Sequence, residues 1–295
     1  MPRDGAKRGA QSALYGEHML LGARFGEGRS VLRYHGEPQG ADLVATLEQG
    51  CVLGDVSDAQ VLVLWGDPVV SFAEAAFAGK RLAVGECAFE AVLTGDGAVA
   101  SVPLLARTGD REYVCADLWE RSEVLAAWLS FLGSVDQGGE RPFAGLGSED
   151  ASGAHVALLL WGREAIEVLA DYVTSAKDLP ANGCISSCAL DRIPCIVARR
   201  DLGDYPAYVV LVPPVHAVTL WRSILSFGQV TPVGRKALRI LGREALPWTA
   251  SLVAGDSLRM DASTLEAAGL VRADETFVGA RGIRVHDSGG ERGAS

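Results

Sequence analysis

Two short apolar runs punctuate the chain. "VLVLW" at 61–65 and "ALLLW" at 157–161 carry four apolar residues each, Val61 to Leu64 and Ala157 to Leu160, and both break at Trp-Gly. Runs of this length ending at a break predict strands buried on both faces. After each break, residues 67–77 ("DPVVSFAEAAF") and 163–173 ("REAIEVLADYV") place apolar side chains at helical spacing with acidic residues between them, which predicts two amphipathic helices. Pro68 stands where a first helical turn tolerates it. The echo continues downstream. "VLAAWLSFLG" (124–133) returns as "AVTLWRSILSFG" (217–228), with Trp128, Ser130 and Leu132 matching Trp221, Ser223 and Leu225. A pattern that repeats at the spacing of a small domain predicts two related units.

Between the repeats, residues 133–154 are rich in Gly, Ser and acidic residues and lack apolar periodicity, so they predict an exposed connection. Residues 87–117 alternate short apolar runs with Gly-Asp turns, as antiparallel strands do, and a helix is expected over 118–132. Residues 188–214 offer the same strand, turn, strand series before their own helix. Strands and helices are segregated locally, without regular βαβ alternation. The expected class is therefore α+β, with two pseudo-repeated lobes of mainly antiparallel sheet and flanking helices.

Composition narrows the function classes. The 295 residues suffice for two cores of ordinary size, and 48% hydrophobic with 22% charged residues describes a globular chain. Lys and Arg number 27 against 37 Asp and Glu, a net charge of -10, which disfavours nucleic acid as a partner. The most apolar stretch, 208–221, is too short to span a bilayer and is split by Pro213-Pro214, so no membrane helix is expected. The basic start lacks the apolar centre of a secretory signal, which points to the cytoplasm. The tails, 1–11 and 286–295, are expected to be disordered. Six cysteines at 51, 87, 115, 184, 188 and 195 lack paired CxxC spacing; Cys184, Cys188 and Cys195 with His155 do not complete a metal-ligand pattern, and buried reduced thiols are expected instead.

Specific residues then resemble a family. "SALYGEHMLLGARF" (12–25), Tyr34, "LGDVS" (53–57) and the strand ending in Gly66 are similar to the opening of the glycine-cleavage T-protein, the aminomethyltransferase, with Leu14, Tyr15, His18, Gly22, Ala23, Asp55, Ser57 and Gly66 in order. "ALLLWGREA", "LVPPVHAVTLWRSIL", "TPVGRKALR" (231–239) and "TLEAAGLVRADETFVGARGI" (264–283) resemble later elements of that family. The resemblance covers roughly residues 12–283. It implies a folate-binding fold with tetrahydrofolate in a central funnel, a first lobe made of 12–50 plus 150–285, a second lobe over 51–140, and a linker at 141–149. It also implies one-carbon transfer chemistry, of an aminomethyl or methyl group.

The same resemblance locates departures. The family's catalytic acid lies in a Gly-Gly-x-x-Asp-Asp run, and the two Asp positions here are Ser101 and Val102, neither of which ionises. Asp96 is a nearby carboxylate, displaced along the turn and equally readable as a turn residue before Gly97. The family's pterin-anchoring Glu is matched by Tyr205 or Val209; losing that acceptor would leave buried donors unpaired at about 1–3 kcal/mol. Asp117 takes the place of a family Asn, Arg199 is retained, and Arg235 is matched to an arginine that faces the folate carboxylates. These three are the expected cofactor contacts. The candidates for a rearranged catalytic group are His18, Asp96, Ser101 and Tyr205, with Tyr34 and His35 as further polar groups. His18 has an intrinsic pKa near neutrality, but in the family motif it helps to pack the opening segment. Relatives continue into a third, β-rich lobe after the last matched element. Three readings follow: a second chain supplies that lobe, the pocket is more open, or the ligand differs. Beside a rearranged transferase, the pattern therefore allows a fold recruited to another flat organic substrate, or a non-catalytic subunit docking on an enzyme.

Overall fold

The structure is a computed structural model, and its described residues are 12–26, 30–118, 122–246, 248–249 and 259–284. The tails expected to be disordered lie outside these residues. In chain order the main elements are α1 (Tyr15–Leu20), β1 (Arg24–Phe25), β2 (Val31–Arg33), α2 (Ala41–Gln49), β3 (Cys51–Asp55), β4 (Gln60–Trp65), α3 (Val69–Ala76), β5 (Cys87–Phe89), β6 (Val92–Leu93), β7 (Val99–Ser101), β8 (Leu104–Gly109), β9 (Glu112–Asp117) and α4 (Ser122–Gly133). The second half continues with β10 (Gly147–Asp150), β11 (Val156–Trp161), α5 (Ala165–Ala170), β12 (Cys184–Leu190), β13 (Ile193–Arg199), β14 (Ala207–Val212), α6 (Pro214–Leu225), β15 (Val230–Pro232), α7 (Arg235–Ala245) and α8 (Ala262–Ala267).

A five-stranded sheet runs β10-β4-β9-β8-β5 and a six-stranded sheet runs β12-β13-β14-β11-β3-β15. Written from their inner ends, the two series correspond strand for strand: β10, β4, β9, β8, β5 against β3, β11, β14, β13, β12. The strand that precedes each core strand in sequence lies in the opposite sheet. β3 leads into β4 yet pairs with β11, while β10 leads into β11 yet pairs with β4, both antiparallel. β15 adds parallel to β3. The chain therefore crosses between sheets twice, over 56–59 and 151–155.

This exchange explains the Trp-Gly repeat. Gly66 and Gly162 have φ of +114° and +146°, where an L side chain is strained. A Cβ on Gly66 would strike the carbonyl oxygen of Gly145, just ahead of β10, and one on Gly162 would strike that of Gly50, just ahead of β3. Each glycine makes room for the exchanged strand entering its sheet.

Strand alternation then builds three cores. Leu158, Leu160, Tyr208 and Val210 face outward onto α5 and α6, with Trp221 and Ile224. Leu62, Leu64, Tyr113 and Cys115 face outward onto α3 and α4, with Phe72, Leu125 and Leu129. The inner faces contribute Ala116, Leu104, Leu159 and Trp161 to a shared core completed by Leu238 and Leu241 of α7, Trp248, Met260 and Phe277. Leu62, Leu64, Leu158 and Leu160 are all buried, as the strand prediction requires.

The sequence-derived borders do not coincide with the sheets. Residues 51–55 were grouped with the second lobe but form β3 of the six-stranded sheet, and the linker at 141–149 runs into β10 of the five-stranded one. β10 reads "GSED" and its last three residues are exposed, so it is a strand only because β4 pairs with it. Residues 259–284, grouped with the first lobe, dock on the second. Ala91 N–H donates to Leu270 O (3.2 Å), Arg272 N–H to Ala78 O (2.7 Å) and Val278 N–H to Ala75 O (2.8 Å).

Candidate functional site

At the end of β9, Asp117 meets the end of β7. Both Asp117 and Ser101 are fully buried, and Ser101 Oγ donates to Asp117 Oδ2 at 2.6 Å. A carboxylate thus stands beside the strand position from which the resemblance had removed one, delivered by the neighbouring element. Gln60, at the head of β4, is the cross-strand register partner of Asp117, so the two side chains leave the sheet on one face. Gln60 Oε1 is buried with no hydrogen-bond partner among the described residues. A buried acceptor without a donor normally costs about 1–3 kcal/mol, so the Gln60 amide oxygen, on the same sheet face as the Asp117 carboxylate, is the acceptor of this site that calls for a donor. Sequence reasoning passed over Gln60; its one signal was a polar residue opening an otherwise apolar strand.

Arg235 borders this site. From the start of α7 its Nη1 donates to Leu118 O at 2.9 Å and its guanidinium pairs with Asp58. It therefore ties α7 to the end of β9 and to the 56–59 crossing. Val102 is fully buried in the inner core.

The other sequence candidates lie elsewhere. Arg199 alternates with Ala198, which faces the inner core, and its guanidinium lies over Tyr208 of the outer core at 5.6 Å while chelating Asp201 at 2.9 and 3.2 Å. It points to the opposite face of the sheet from the inner core. Tyr205 sits in the turn between β13 and β14, with the Arg163 guanidinium 5.8 Å from its ring centre. Asp96 is an exposed turn residue that accepts from Thr94 Oγ1 and from Arg259, each at 2.5 Å. The Thr94 hydrogen bond above all, aided by the Arg259 charge, holds its carboxyl below the usual range against the opposing effect of burial.

His18 is fully buried between α1 and the six-stranded sheet. Its Nε2 bonds Asp55 Oδ2 at 2.8 Å, its Nδ1 bonds the Tyr34 hydroxyl at 2.8 Å, and Trp221 packs edge-on to its ring. Burial opposes ionisation of Asp55, yet hydrogen bonds from His18 and from the Ser57 hydroxyl and amide outweigh it and hold the carboxyl below its ordinary value. Burial, with the Asp55 and Glu37 carboxylates nearby, pushes the Tyr34 hydroxyl up. Both ring nitrogens of His18 are occupied, which makes it a clamp on the opening segment. His35 abuts Gly22 in that same segment.

A cavity of about 110 Å³ lies where the chain crosses between the sheets, lined by Ser57, Ala59, Val63, Val114, His155 and Ala157 among others. It is smaller than the ~300–1,000 Å³ typical of pockets that enclose drug-sized ligands, and neither Ser101 nor Asp117 lines it. Among the described residues no group of three or more His, Cys, Asp or Glu is placed to hold a metal ion, and no helix is long and apolar enough to cross a membrane. Cys188 and Cys195 are cross-strand neighbours, whereas Cys184 lies beside Cys87. Burial pushes the Cys51, Cys87 and Cys195 thiols up to about 12.

Comparison with solved structures bears on this architecture. The crystal structure of glycine cleavage system aminomethyltransferase T from Bartonella henselae superposes with a TM-score of 0.68 over 94% of this chain and 74% of that one, at 19% identity. The fold is that of aminomethyltransferase T. Heterotetrameric sarcosine oxidase from Corynebacterium sp. U-96 matches with a TM-score of 0.48 and 16% identity, over 79% of this chain and 96% of that chain. No family model and no curated protein matches the sequence. The aminomethyltransferase fold thus persists here where sequence similarity has all but vanished. A fold alone does not carry an activity, and the activity has to be argued from the site.

Proposed function

We propose that this chain binds a reduced folate at Asp117 and Gln60 and acts as a one-carbon transferase, of aminomethyl or methyl groups, with a rearranged site. The observation that carries the reading is the buried pair of acceptors: a carboxylate oriented by Ser101 and an amide oxygen with no donor of its own. A flat heterocycle with adjacent N–H donors would supply the donor that Gln60 Oε1 lacks and place another N–H toward the Asp117 carboxylate. The donor and acceptor chemistry of these residues therefore fits a pterin. When bound, tetrahydrofolate would supply the nitrogens that carry the one-carbon unit. Asp117 would accept from N–H groups of the bound ring and would take over the role of the carboxylate missing at Ser101. Ser101 fixes the Asp117 rotamer. Arg235, held by Asp58 and Leu118 O, positions the end of β9.

A second reading, binding without turnover, is favoured by Val102 and by the engagement of both candidate arginines with aspartates of this chain. In that reading a partner chain contributes the remaining machinery. Calorimetry with tetrahydrofolate separates the alternatives. The expected dissociation constant is roughly micromolar, about -8 kcal/mol, weakened at least tenfold in Gln60→Ala and in Asp117→Ala. Single-turnover transfer from a folate-borne one-carbon unit distinguishes transferase from binder. No heat at millimolar folate, in protein that melts cooperatively, would overturn both readings.

A further inference from the structure

Glu90 follows β5 and is completely buried, and among the described residues neither carboxyl oxygen has a hydrogen-bond partner. It packs directly on the backbone of Gly79, where any Cβ would collide with its carboxyl group. On both sides of Glu90 the chain holds residues 268–284 in place: Ala91 N–H donates to Leu270 O at 3.2 Å, Ala78 N–H to Ala91 O at 2.8 Å, and Arg272 N–H to Ala78 O at 2.7 Å. Three titratable groups face it. Lys80 is paired with Glu86 at 3.3 Å, Tyr113 comes from β9, and Arg272 from the docked segment.

Arg272 is a prospective partner and has no donor to give. Its Nε binds Asp274 Oδ1 at 2.8 Å, Nη1 binds Phe77 O at 2.7 Å and Gly79 O at 3.1 Å, and Nη2 binds Glu74 O and, at 3.1 Å, Thr276 Oγ1. The same bonds pin residues 272–276 to the second lobe. To neutralise an ionised Glu90, Arg272 would have to abandon them.

We propose that Glu90 is a pH-sensitive latch: uncharged, it allows residues 268–284 to seal against the second lobe, and its ionisation loosens that segment. Burial is the dominant cause of its proton affinity. The Gly79 and Lys80 amides and the Arg272 and Lys80 charges offset it only in part, and the carboxyl is pushed up to about 8. Neither amide reaches hydrogen-bond geometry with it. Because the folded-state value is raised, the sealed state is fully populated at acid pH and is progressively lost as pH rises through that value. The latch thus acts on the segment that also supplies Leu270, Phe277, Ala280 and Ile283 to the inner core.

Amide hydrogen exchange of the full chain, corrected for intrinsic rates, tests the latch at Arg272, Val278 and Ala91. Between pH 6 and pH 9 protection at these amides is expected to fall about a hundredfold in the wild type, most of it before pH 8, while Glu90→Gln keeps it within about twofold. An equal fall in both proteins, or none in the wild type, would overturn the proposal. Direct carboxyl ¹³C titration of the wild type decides the matter if Glu90→Gln fails to fold: a midpoint near 8 supports the latch, and one near the ordinary 4.5 sinks it.

Discussion

At the scale of single residues, the Tyr34–His18–Asp55–Ser57 chain shows how a histidine of near-neutral intrinsic pKa becomes structural. His18 is committed on both ring nitrogens, and Asp55 takes donors from His18 and Ser57. Replacing His18 by Leu leaves a buried carboxylate without its main partner, and a loss of about 3–5 kcal/mol in urea unfolding at pH 7 is expected. The acid limb of stability should change with it. Asp55 is held below its ordinary value of 3.8, so its contribution is complete above that pH and is lost as pH falls through the folded value. His18→Leu should therefore destabilise far more at pH 7 than at pH 2, and an equal effect at both would contradict the clamp.

Among the elements, the exchanged strands decide what the Trp-Gly repeat is for. Both glycines occupy positive φ and both face the carbonyl of the residue leading into an incoming strand. Alanine at either position meets backbone strain of about 1–3 kcal/mol together with that collision. Gly162→Ala should cost more than Gly66→Ala, because Trp161 is fully buried whereas Trp65 is 40% exposed and its surroundings can give way. Differential denaturation of the two variants checks the order, and near-neutral behaviour of Gly162→Ala would remove the strand-exchange explanation. The paired strands were legible from their apolar runs. β10 was not, since a short edge strand of Gly, Ser, Glu and Asp carries no hydrophobic signal of its own.

For the whole molecule, strand exchange fuses the two repeats. Each sheet takes a strand from the neighbouring half, and the inner core draws on both sheets, α7 and residues 260–283. Two domains read from the repeat would be expected to melt separately. The topology predicts instead one cooperative transition, with calorimetric and van't Hoff enthalpies equal, at a pH where the Glu90 latch is closed. Two resolved transitions would mean that the crossings at 56–59 and 151–155 act as ordinary linkers.

The sequence by itself determined the class, the repeat and the strands with clear apolar periodicity, because burial on a sheet face leaves a local trace in the choice of side chains. It also carried enough residues to resemble the aminomethyltransferases, whose fold the structure shares. The tertiary structure decided which strand joined which sheet, that Arg199 and His18 lie away from Asp117, and that Asp117, Ser101 and Gln60 converge. Hydrogen bonds between strands distant in sequence make those choices. A polar residue reads the same in sequence whether it ends as a turn cap like Asp96, an ion pair like Arg235, or a buried acceptor awaiting a donor like Gln60; only the neighbours brought by the fold set its chemistry.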